Sequence, residues 1–265
     1  MADWSGTGEP YAQSFARLCE GAAEPLLDAI EAARGVPAAG RFLDVGTGAG
    51  TVAAAAARRG YTAQGVDAEA SMVDAARRRH PSLPLTVAAL PALPFRDGSF
   101  DAVAASFVLN HVADPLKSAG ELARVAAPGG AVAITVWPWG PSPLRPLWEA
   151  SLARSGAAAY PADSQSTEPD ILRTPDGLAA LLGAVGLAKI RATAVSWTFV
   201  ISPADLWIGV AGGVATIGGI HQSLEDDSRT ALHRAYLEET RLRIDDDGLL
   251  RFPHTAVLAV GVRAD

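Results

Sequence analysis

The sequence predicts an α/β protein with a doubly wound, seven-stranded sheet, an N-terminal helix and a helical insertion before the last strand. Three observations predict it. Short apolar runs alternate with helical segments over residues 41–136, which reads as a parallel sheet. A glycine-rich turn, "GTGAG", joins the first run to the first of these helices. The chain has 265 residues, 49% hydrophobic and 19% charged, enough for one large domain with a substantial core.

Each element follows in order. Residues 10–33 read as a helix, with apolar positions at Phe15, Leu18, Leu26, Leu27 and Ile30. "RFLDVG" is the first strand and "TVAAAAARRG" a helix stopped by Gly60. "TAQGVD" is the second strand, followed by the helix "AEASMVDAARRRH", which ends before Pro81. "LPLTVAA" and "FDAVAASFV" are the third and fourth strands. In "DPLKSAGELARVA", Asp114 is the N-cap and Pro115 opens the first turn. "PGG" turns the chain into the fifth strand, "AVAITVW". Residues 156–174 read as a loop, and "TPDGLAALLGAVGL" as a helix capped by Thr174. "AKIRATAVSWTFV" is the sixth strand and "HTAVLAVGVRAD" the last, expected to run antiparallel. The whole of 1–265 reads as a single domain: a helical cap at 1–38, a core at 39–140 and an insertion at 203–245. The insertion serves as a lid or a subunit contact.

The net charge of −7 argues against a surface that coats nucleic acid or anionic lipid. The run Arg77-Arg78-Arg79-His80 suits a helix C-terminus, where cations complement the dipole. Cys19 is the single cysteine, so no intrachain disulfide forms. No secretory pattern opens the chain and no apolar run is long enough to span a bilayer, so a cytoplasmic location is expected.

The glycine loop narrows the ligand. Gly46, Gly48 and Gly50 permit a tight turn and close approach of backbone to ligand. A dinucleotide fingerprint wants glycine at the sixth position, where Thr51 stands, and a phosphate loop wants a lysine that is absent. Asp67 ends the second strand, 21 residues after Gly46, and suits the 2′ and 3′ hydroxyls of a ribose. The plainer role for Asp67 is a cap on the following helix.

"FLDVGTGAG", "GVDAEASMV", "LPFRDGSFDAV" and "ELARVAAPGGAVAITVW" together resemble the successive motifs of class I S-adenosylmethionine-dependent methyltransferases, which have a Rossmann-like fold. The resemblance covers residues 10–140 and implies a bound S-adenosylmethionine, leaving as S-adenosylhomocysteine. It places Gly46, Thr47, Gly48 and Gly50 along the amino-acid and ribose portions, Asp67 on the ribose, and Ala68 and Met72 at the adenine. Where the family often has an acidic residue for the adenine amino group, this chain has Ala89, followed by Leu90. Ser106, Phe107 and His111 are expected near the sulfonium methyl, with His111 a candidate base and Tyr11 a second catalytic candidate from the cap.

The motif of enzymes that methylate exocyclic amines of bases is replaced here by "SFVLNHVADP", which points to a small-molecule acceptor and no nucleic-acid partner. Trp137, Trp139, Trp148, Trp197 and Trp207 offer apolar faces for an aromatic acceptor, or simply core. The overall likeness is to actinobacterial natural-product methyltransferases, some of which methylate indole rings at carbon or nitrogen. The alternative is a relative that binds the same cofactor but catalyses a cyclisation or another non-methylating step.

Overall fold

The computed structural model describes residues 4–35, 38, 40–157, 159–161 and 171–264. Its centre is a sheet of seven strands: β1 (Arg41–Val45), β2 (Thr62–Asp67), β3 (Leu85–Val87), β4 (Phe100–Ser106), β5 (Ala126–Val136), β6 (Leu187–Ile201) and β7 (Leu250–Arg263). The spatial order is β3-β2-β1-β4-β5-β7-β6. The first five strands are parallel, and β7 runs antiparallel to both β5 and β6, as the sequence predicts. The order reverses at β1, between β2 and β4, which opens a crevice at the carboxyl ends of these strands.

Among the described residues eleven α-helices, numbered in chain order, surround the sheet: α1 (Gly8–Gln13), α2 (Ala16–Glu20), α3 (Ala23–Arg34), α4 (Thr51–Arg59), α5 (Ala70–Arg79), α6 (Pro115–Val125), α7 (Arg145–Ser155), α8 (Pro175–Ala184), α9 (Pro203–Ala211), α10 (Ala215–Ser223) and α11 (Asp226–Arg241). Alternation along the strands feeds two cores. Leu43, Val103 and Ile134 face α6 and α8, where Leu122 and Leu178 are fully buried. Phe42, Ala102 and Ala133 face α3 and α4, against Leu26, Leu27, Ile30 and Val52. The alanines on this second face let α3 lie close to the sheet.

The caps form as predicted. Asp114 accepts from the Lys117 N–H at 2.9 Å, and Thr174 accepts from the Gly177 N–H at 3.1 Å. Gly60 closes α4 in the left-handed region at φ 107°. The triple-arginine run ends α5, and its side chains also reach other elements: Arg77 donates to the Leu85 carbonyl of β3, and Arg78 and Arg79 pair with Glu9 of α1.

The helix expected over 10–33 is instead three short helices. Ser14 turns its hydroxyl back to the Pro10 carbonyl at 2.6 Å, and the chain bends there. At the second break, Gly21 packs on Trp197 of β6, where a Cβ would sit 2.1 Å from the ring. The third strand is shorter than expected, and the last begins four residues before His254, at Leu250. Pro253 fits inside it because β5 stops opposite Val257, so residues 250–256 pair with β6 alone.

The insertion resolves into α9, α10 and α11. Two of its glycines sit at close contacts with the N-terminal segment: Gly209 against Ser14 and Phe15, and Gly212 against Pro10. Tyr236 of α11 is fully buried, stacks on Trp148 of α7 at 5.7 Å and donates to the Pro203 carbonyl at 2.8 Å. Among the described residues no single helix is long and apolar enough to cross a membrane; α9 and α10 pass that test only as a pair bent by 60°.

Candidate active site

The turn after β1 lies at the crevice. Gly46, Gly48 and Gly50 have φ of 68°, 53° and 84°, the region that favours glycine. At Gly46 the backbone also meets Val108, where a Cβ would fall 2.3 Å from the side chain. That contact seats the end of β4 against the turn. Buried Asp44 holds the turn from below: Thr47 Oγ1 donates to its Oδ2 at 2.7 Å and the Ala53 N–H at 3.1 Å. Its Oδ1 is buried with no partner among the described residues. Burial pushes the Asp44 carboxyl up to about 6, against the opposing hydrogen bonds from Thr47 and Ala53.

Asp67 stands across the turn. The Gly48 N–H donates to its Oδ2 at 2.8 Å and the Glu69 N–H to its Oδ1 at 3.0 Å. The residue that caps α5 is Glu69, without a side-chain bond, so Asp67 joins the turn to the start of that helix rather than acting as its N-cap. A carboxylate has about four acceptor positions, so two backbone bonds leave room for two hydroxyls. Burial raises the Asp67 pKa above its ordinary 3.8, opposed by the backbone N–H groups.

The cap closes over this turn. Tyr11 of α1 lies on Gly48, where a Cβ would be 3.1 Å from its Cε1. Its hydroxyl is hydrogen-bonded with Cys19, and burial pushes the phenol well above its usual range. Burial likewise pushes the Cys19 thiol up to about 11, so neither group ionises near neutrality. Trp4 sets its ring edgewise to Tyr11 at 5.9 Å and to His111 at 5.7 Å. His111 ends a 3-10 turn after β4, with Nε2 3.0 Å from Asn110 Nδ2. His111 is an exposed residue, and partial desolvation by the segments around it, then the Arg173 charge, lower its pKa from the ordinary value. A cavity of about 210 Å³ lies beside this turn, lined by Leu109, Asn110, Arg173 and Leu178, and includes no glycine-loop residue.

Phe107 follows β4 with φ 59°, an uncommon conformation for an aromatic residue. Its N–H donates to the Thr135 carbonyl at 2.9 Å, and its ring stacks on Trp137 at 3.9 Å. The preceding Ser106 shares a 2.8 Å hydrogen bond with the Thr135 hydroxyl. Such a backbone, held by neighbours on both sides, is typical of a functional position.

The remaining expected residues are placed less centrally. Ala68 is exposed just after β2, whereas Met72 is buried on α5 with its backbone nitrogen next to Gly8. Ala89 is exposed and Leu90 half-buried, in the segment that follows β3. The tryptophans divide. Trp137 and Trp197 join Phe107, with ring centroids 5.9 Å apart, while Trp148 and Trp207 pack into the insertion. Sequence reasoning missed Trp4 and His254. Trp4 carries no motif signal. His254 occupies an inward position in the alternation Phe252, His254, Ala256, which is unusual for a histidine.

A family model described as a methyltransferase domain matches residues 43–134. A demethylmenaquinone methyltransferase of Beutenbergia cavernae is 35% identical over 60% of this chain and 69% of its own length. One from Streptomyces griseus subsp. griseus is 32% identical over 71% of this chain and 80% of its own. Another, from Renibacterium salmoninarum, is 37% identical, but the match spans under half of that relative, 44%. Among solved structures, the YcgJ protein of Bacillus subtilis superimposes with a TM-score of 0.55 at 23% identity, over 91% of this chain and 99% of that one.

Proposed function

Because this chain belongs to the class I S-adenosylmethionine-dependent methyltransferases, we propose that it methylates a small aromatic acceptor, with an indole ring the leading candidate. The crevice fits the cofactor. The turn offers glycine backbone and no lysine for a phosphate, and Asp67 keeps acceptor capacity for two ribose hydroxyls. Asp44 Oδ1, buried and unpartnered under the turn, is a further acceptor close to where the amino-acid portion would lie. When bound, the cofactor supplies an activated sulfonium methyl.

The chain's own residues do the rest. Tyr11 covers Gly48 and excludes water from the turn. Phe107, fixed in its left-handed conformation, places its ring at the end of β4. Trp137 and Trp197 adjoin that ring, and this contiguous aromatic surface beside the turn is the observation that carries the reading. His111, whose lowered pKa favours the neutral imidazole, can take a proton from the acceptor. The acidic chain and the relatives' named substrate, demethylmenaquinone, support a non-nucleic-acid acceptor.

The test is a screen of indoles, phenols and amines with methyl-labelled S-adenosylmethionine. Label in an indole or a phenol is expected. An unlabelled, rearranged product formed with the cofactor left intact would replace this reading with a non-methylating one. In the same assay His111→Ala should lower turnover roughly a hundredfold and leave cofactor affinity unchanged; unchanged turnover removes His111 from proton transfer.

Proton linkage gives a second test. Ribose hydroxyls donating to Asp67 favour the carboxylate, so binding should lower its raised pKa and release protons. Affinity for S-adenosylhomocysteine should therefore weaken as pH falls through the raised value, above 3.8. Comparing proton release by calorimetry in wild type and Asp67→Asn isolates this group, because Asp44 titrates in both. Equal release in the two proteins means that Asp67 does not meet the ribose.

A further inference from the structure

The edge of the sheet that carries the glycine turn also holds a buried imidazole that methyl transfer, as described above, does not use. β5 ends opposite Val257, so Trp197–Ile201 of β6 and Leu250–His254 of β7 run past its carboxyl end as a two-stranded arm. His254 pairs directly across this arm with Trp197 and is 3% exposed. Its ring is enclosed by Trp137 at 5.8 Å, Phe199 at 6.0 Å and Trp197 at 6.2 Å. Trp137 is the ring that stacks on Phe107, so His254 belongs to the aromatic surface proposed for the acceptor.

The chemistry of this imidazole is fixed by one contact. Nδ1 lies 3.0 Å from the Phe252 carbonyl, which can only accept, so Nδ1 carries the proton. In the neutral ring Nε2 then presents a lone pair. Burial lowers the pKa of the ring, against the bond to Phe252, and so favours its neutral form. Nε2 is buried and has no hydrogen-bond partner among the described residues. An acceptor left this way in an aromatic enclosure is costly unless something donates to it. Trp197 Nε1 is also unpartnered, but Gly21 closes over that edge of the indole, so it is not open to a ligand. Trp137 and Trp197 are both half-buried.

We propose that His254 Nε2 receives an N–H or O–H of the aromatic acceptor, so that the arm of β6 and β7 selects acceptors carrying such a donor on the ring. The proposal rests on the methyltransferase reading and narrows its acceptor class: N-alkylated indoles and aryl ethers are excluded, free indoles and phenols admitted.

The test uses full-length protein loaded with S-adenosylhomocysteine and two pairs of probes: indole with 1-methylindole, and 1-naphthol with 1-methoxynaphthalene. By calorimetry the donor of at least one pair should bind about tenfold more tightly than its methylated twin. In His254→Phe this preference should vanish while S-adenosylhomocysteine affinity stays as in wild type. A merely structural histidine would not discriminate between twins. A readout without reliance on that variant is the ¹⁵N resonance of His254 Nε2, assigned by its loss in His254→Gln. It should move on adding the donor probe and stay still with the twin. Equal affinity within both pairs, no binding by any probe, or an unmoved Nε2 resonance overturns the inference alone. Failure of S-adenosylhomocysteine to bind overturns the cofactor reading and this inference with it.

Discussion

Asp67→Ala is expected to weaken S-adenosylhomocysteine binding roughly ten- to a hundredfold, about 1.5–3 kcal/mol, the scale of hydrogen bonds to a charged group. Two losses combine. The ribose hydroxyls lose their acceptor, and the Gly48 and Glu69 N–H groups lose the carboxylate that ties the glycine turn to the start of α5. Asp67→Asn separates the two. An amide oxygen can keep one backbone bond and accept one hydroxyl but carries no charge, so an intermediate affinity is expected. Calorimetry at pH 7.5 reads both, with circular dichroism showing that each variant is folded. Wild-type affinity in Asp67→Ala would assign Asp67 only the role of joining β2 to α5.

Gly8→Val is the second large effect. Gly8 lies against the backbone of α5, where a Cβ would fall 2.1 Å from the Ser71 carbonyl oxygen and 2.8 Å from the Met72 nitrogen. Backbone cannot yield as a flexible side chain does, so α1 must lift from α5. The expected loss of stability is about 1–3 kcal/mol by denaturant unfolding. Tyr11 stands on the same short helix, so the cap over Gly48 lifts with it, and cofactor affinity should fall about tenfold. Glu9→Ala is the control. It removes the ion pairs to Arg78 and Arg79 from the same interface, but these are exposed, and a cost of under about 1 kcal/mol with near-normal affinity is expected. If Gly8→Val binds cofactor as wild type does, the cap is not part of the site.

The parallel half of the sheet was legible because its signals are local. "FLDVG" and "FDAVAAS" are apolar runs buried on both faces, and the caps at Asp114 and Thr174 announce their helices. The glycine turn and Asp67 were legible together, since strand, turn and acidic strand end recur within one βαβ unit. What stayed hidden is non-local. The breaks in the N-terminal helix serve distant partners: Gly21 makes room for Trp197, and Ser14 folds onto Pro10 beneath the insertion. Met72 is expected at the adenine by its place in the motif, and its burial on α5 is set by the packing of that helix. Trp4 meets His111, and His254 meets Trp137, only after the chain has folded back over the carboxyl edge of the sheet. Pairings so far apart in sequence leave no periodic trace.

The central claim is that the glycine turn and Asp67 hold S-adenosylmethionine rather than a dinucleotide. Titration of the full-length protein with S-adenosylhomocysteine and, separately, with NAD tests it most directly. Saturable one-to-one binding of S-adenosylhomocysteine with no heat from NAD is the predicted result. Binding of NAD with no response to S-adenosylhomocysteine would contradict it.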